Sequence, residues 1–101
     1  MRFLLAVFSL SIVTAANAQD QAAICKIASD YAETIMISRQ DGVSESVVVK
    51  GADAVPAGSR DIALWIMIKA YEKPLFDQAE ERENAITSFG EEIYAECMKS
   101  G

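Results

Sequence analysis

The polar and apolar positions of the chain fall into one short leader and three stretches with helical spacing. Phe3 to Val13 is an apolar run interrupted by Ser9 and Ser11. From about Gln21 to Gln40, Ile24, Ile27, Ala28, Tyr31, Ala32, Ile35 and Met36 recur at intervals of three and four, one stripe along a helix. Asp20 is placed to cap its start, and Asp41-Gly42 to stop it, with Gly42 suited to the left-handed position after the last turn. A third stretch runs from Arg60 to about Lys73, with Ser59 as its cap and Pro74 as its terminator. It is apolar at every position from Ile62 to Ile68, so it needs covering on several sides, either as the central helix of a bundle or in part by a second chain with Trp65 as the anchor. The last helix opens with Asp77 and Glu80 in capping-box spacing and carries Ala79, Ile86, Phe89, Ile93, Tyr94 and Cys97 as its stripe. Gly90 interrupts it, which marks a point where another backbone passes close.

Between these stretches the pattern loosens. Val47, Val48 and Val49 would suit either a strand or a short helix capped by Ser44 or Ser46. A lone strand leaves its backbone groups unpaired, which favours the helix. Gly51 to Ser59 reads as loop. The fold class expected is therefore all-α, a small bundle of three to four helices.

The leader changes the compartment. Arg2, the apolar run and the small residues Ala16 and Ala18 form the three zones of a secretory signal peptide, with cleavage after Ala18. The run is too short to span a bilayer. One helical domain, residues 19–101, remains, with no membrane attachment and a periplasmic or secreted location. At about 80 residues such a domain has a small core and gains from a covalent staple. The two cysteines, Cys25 and Cys97, are both in this part, and in an oxidising compartment they have one possible pairing. That bond joins the first and last helices and should stabilise by about 4 kcal/mol through its long loop.

Composition then removes whole classes of function. Nine basic residues against fifteen acidic ones give a formal charge of −6, with no basic cluster, which argues against nucleic acid and against docking on anionic lipid. Without histidine, and with both cysteines bonded, neither a metal site nor a thiolate or imidazole catalyst is expected, and no cofactor is implied. The carboxylates at 80, 81 and 83 and at 91, 92 and 96 read as solvated faces, so the chain is expected not to be an enzyme. The polar residues that stand out are Arg39 and Gln40. They form an ordinary helix C-terminus, a buried pair of Arg39 with Glu72 or Asp77, or a polar ligand site.

The order of these features carries a resemblance. A signal peptide, an early cysteine, Met36-Ile37-Ser38-Arg39-Gln40-Asp41-Gly42, Ala70-Tyr71-Glu72-Lys73-Pro74 and a final helix with Phe89, Tyr94 and Cys97 resemble small uncharacterised exported proteins of Gram-negative bacteria and their phages. That resemblance implies the disulfide and the bacterial envelope, and no activity. In size, acidity and single disulfide the chain is also loosely similar to periplasmic acid-stress chaperones. The expected function is an interaction module that binds a protein partner, or a second copy, around Trp65 and Val48. The alternatives are a small-ligand carrier anchored by Arg39 and a chaperone of the acid-stress kind.

Overall fold

A computed structural model of the chain is all-helical. It describes residues 19–100 in full and, before them, only the helical course of the backbone from Arg2. The expected signal peptide, Met1 to Ala18, lies outside the described residues. Four α-helices follow in order: α1, Arg2–Gln40; α2, Glu45–Lys50; α3, Arg60–Tyr71; and α4, Ala79–Ser100. Two 3₁₀ turns, Gly51–Ala54 and Ala57–Ser59, bridge α2 and α3, and among the described residues there is no strand.

Helix α1 does not start at Asp20. It runs through that residue because no glycine or proline precedes Gly42 in the sequence, so nothing breaks it. Its end follows expectation. Gly42 has φ +83°, Val43 N–H donates to the Ser38 carbonyl at 3.0 Å and Gly42 N–H to the Arg39 carbonyl at 3.1 Å. This is a Schellman end, with glycine where a side chain would be strained. The valine segment is helical, as α2, and Val48 and Val49 are half-buried against the core. Ser59 precedes α3, yet its hydroxyl makes no capping bond because the preceding 3₁₀ turn leads straight into the helix. Helix α3 ends at Tyr71, and α4 begins at Ala79 rather than at the expected Asp77 cap.

From Gln21 onward α1 packs antiparallel against α4, tied near the C-terminal end of α4 by Cys25–Cys97, with a Cα separation of 5.5 Å. Gln21 donates to the Met98 carbonyl at 3.0 Å beside that bond. Midway, Ser29 Oγ donates to the Gly90 carbonyl at 2.8 Å, and a Cβ on Gly90 would sit 2.7 Å from the Glu33 side chain. What lies against Gly90 is the Glu33 and Ser29 side chains of α1, where the sequence led us to expect a close-passing backbone. The seam on α1 is Cys25, Ser29, Ala32, Met36 and Gln40, spaced by threes and fours and all buried. It lies one position around from the apolar stripe read in the sequence, so Ile24 and Ile27, expected in the core, are 62% and 70% exposed.

Helix α3 lies across this pair and closes the core with Ala63, Ile66, Met67 and Ala70 against Met36, Phe89 and Ile93. Helix α2 and the two 3₁₀ turns pack beside it as well. Ile62, Trp65 and Ile68 remain 58%, 42% and 49% exposed, so α3 is not the wrapped central helix of the bundle. Among the described residues no element packs over this outer face, which borders the groove between α1 and α3.

Candidate functional site

Beside the disulfide, the exposed sides of α1 and α3 form a groove of about 510 Å³, open to solvent, with the C-terminal end of α4 as its floor. Ile24, Ile27 and Tyr31 make one wall, Ile62 and Trp65 the other, and Ile93 and Cys97 lie beneath. These positions follow from helical periodicity. Residues 24, 27 and 31 project from one face of α1, next to the face that meets α4, and 62 and 65 are one turn apart on α3. The polar residues of the groove are Ser59, Glu96 and Ser100, and no lysine or arginine lines it. Lys69 stands next to it, with its Nζ 5.2 Å from the centre of the Trp65 ring. An apolar trough with one carboxylate can bury apolar side chains. It lacks a cation to hold an anionic ligand.

Of the interaction face expected around Trp65 and Val48, the structure places only Trp65 at this groove. Val48 packs on the core through α2, and Val47 is the exposed valine of that helix, at 58%. A further consequence is that the open face gains its second wall from α1, which sequence reading assigned to the core.

Arg39 and Gln40 lie elsewhere, at the junction of α1 with the connection between α3 and α4. Gln40 is buried, and its amide is used at both ends: Oε1 accepts from Phe76 N–H at 3.0 Å and Nε2 donates to the Pro74 carbonyl at 2.8 Å. Arg39 Nε donates to the Lys73 carbonyl at 3.0 Å while its guanidinium stacks 5.2 Å from the Tyr71 ring centre. Of the readings open for Arg39, the pairing with Glu72 or Asp77 is not formed, and its partner is a backbone carbonyl. Tyr71 in turn donates its hydroxyl to the Val43 carbonyl at 2.7 Å, and burial pushes its phenol upward in pKa. Together these three side chains hold the 73–76 connection and the 41–43 turn to the ends of their helices. The pair is placed as a structural clamp, away from the groove.

Arg60 has a parallel role that nothing in its spacing announced. Its guanidinium donates to the carbonyls of Ala52 and Val55, both at 3.0 Å, and so fixes the first 3₁₀ turn, Gly51–Ala54, against the start of α3. Glu92 is likewise more than a solvated acid. It bridges α4 to α3 through Lys73 at 2.7 Å and Lys69 at 3.5 Å, and the Lys73 hydrogen bond holds its carboxyl below the ordinary range. A shallower depression of about 380 Å³ lies beside this network, lined by Lys73, Phe76 and Glu92 among others. Among the described residues no group of three or more potential ligands is arranged to hold a metal ion.

Comparison of the chain with protein-family models, with curated proteins and with solved structures finds no match in any of the three. The functional reading therefore rests on the geometry above.

Proposed function

We propose that the chain is a small exported, non-enzymatic helical module that binds another protein chain through the groove beside Trp65. The observation that carries this reading is the contiguity of Ile24, Ile27, Ile62 and Trp65 around one trough, with each of them at least 42% exposed. Large apolar side chains scattered singly over a surface need no explanation, but a continuous patch several hundred Å² in extent marks an interaction site. An exposed tryptophan flanked by aliphatic residues has the composition of a binding hot spot. The absence of a cation within the groove, and the engagement of Arg39 elsewhere, disfavour the alternative of an anionic ligand anchored by Arg39. Export is supported by the leader and by a disulfide joining cysteines 72 residues apart. Among the described residues no helix is long and apolar enough to cross a membrane.

Affinity capture from the envelope of the source organism tests the reading, with Trp65→Glu and Ile27→Glu variants run beside the wild type. The expected result is a saturable protein partner retained by the wild type and lost from both variants, while their circular dichroism is unchanged. Equal capture by all three would refute it.

A further inference from the structure

Resting on that reading, we infer that the groove is a self-complementary surface and that the chain covering it is a second copy of this protein. Wall and knob belong to the same surface. Trp65 forms one side of the trough and stands partly out of it, and a volume of about 510 Å³ accommodates an indole with the isoleucine side chains flanking it. A two-fold axis beside Trp65 sets each indole into the facing groove, the geometry of an isologous interface in which one patch serves both partners.

The area is sufficient. Ile24, Ile27, Ile62 and Trp65 of the groove walls are 42–70% exposed, and covering them in both copies removes on the order of 1,000 Å², the least a specific interface needs. Almost all of it is apolar, as in obligate homodimers, whose interfaces resemble a divided core. The charges also match. Lys69, which also meets Glu92 of its own chain at 3.5 Å, accompanies Trp65, and Glu96 lies within the groove, so insertion of Trp65 carries Lys69 toward Glu96 of the second copy. That contact occurs twice in the pair and offsets part of the repulsion between two acidic chains.

Sedimentation equilibrium of the full reading frame, produced with export and purified oxidised, tests the inference, with intact mass defining the start of the chain. The expected result at about 100 μM is twice the monomer mass. Trp65→Glu and Ile27→Glu should each weaken pairing at least about 30-fold, the effect of a hot-spot residue, with helix content unchanged. Lys69→Glu and Glu96→Lys should each weaken it less, and the double exchange should restore it. A monomer throughout, or a dimer that survives both glutamate variants, overturns the second copy. A hydrophobic dye separates the two levels of the argument. A monomer that binds the dye and loses it with Trp65→Glu overturns the second copy and leaves the groove as a site for a different protein. A monomer that never binds the dye overturns both.

Discussion

Replacing Gln40 with alanine tests whether the α3–α4 connection is held by a single amide. In the folded chain Gln40 is 7% exposed, accepts from Phe76 N–H at 3.0 Å and donates to the Pro74 carbonyl at 2.8 Å. Each such bond contributes a net of about 0.5–1.5 kcal/mol, and truncation also removes buried stem from the junction. The expected loss is about 2–3 kcal/mol, which for a domain of this size lowers Tm by about 10–20 °C. Thermal unfolding followed by circular dichroism reads it directly.

Gln40→Glu sharpens the test. A carboxylate still accepts from Phe76 N–H, but it sets a negative oxygen against the Pro74 carbonyl. That arrangement raises the folded-state pKa of the introduced glutamate above its unfolded value. The deficit relative to wild type at the same pH is therefore largest above the folded pKa and shrinks as pH falls through it, when the protonated acid donates to Pro74. A Gln40→Ala change of less than about 0.5 kcal/mol, or a Gln40→Glu deficit that does not shrink in acid, would refute the clamp.

Three further outcomes follow from the same geometry. Cys25→Ala with Cys97→Ala opens a loop spanning 72 residues and should lower the free energy of urea unfolding by about 4 kcal/mol; a loss under about 1 kcal/mol would contradict the role of the staple. Gly42→Ala meets no neighbour but forces φ +83° on a side chain, so it should cost about 1–2 kcal/mol, whereas Gly51→Ala, at φ −62° and equally open, should be neutral or slightly stabilising in the same melt. Because the Glu92 carboxyl is depressed by Lys73, its stabilising contribution is present above the ordinary carboxylate pKa of 4.5 and is lost as pH falls through the folded value. Glu92→Gln should accordingly flatten the fall in Tm on acidification, and an unchanged slope would show that Glu92 contributes nothing to it.

Much of the fold was legible in the residues because local rules and tertiary packing agree there. Gly42 sits where a left-handed helix end needs it, and Cys25 and Cys97 where the first and last helices lie side by side. What could not be read was which face of each helix would find a neighbour. Periodicity reports that Ile24 and Ile27 are apolar and share a face, but it does not report that α1 and α3 leave an open groove between them there. The seam instead includes Ser29 and Gln40, polar residues accepted in the core because each finds a backbone partner across the interface. For the same reason the partners of Arg39 and Arg60 could not be read from the sequence. Their partners are carbonyls of connections, and carbonyls leave no trace in side-chain pattern. The groove was foreshadowed only by Trp65 within the run Ile62 to Ile68, and its second wall emerged from packing.

The central claim is that a second copy of this chain covers Trp65, which is 42% exposed in the single chain. It is the one tryptophan in the sequence, so its fluorescence reports that surface alone. Emission wavelength and acrylamide quenching, followed as protein concentration rises from well below to about 100 μM, measure the claim directly. The account predicts that emission shifts to shorter wavelength and quenching falls, with a midpoint at the concentration where the sedimenting mass reaches half its rise from monomer to dimer. An indole that stays equally quenchable across the whole range would contradict it.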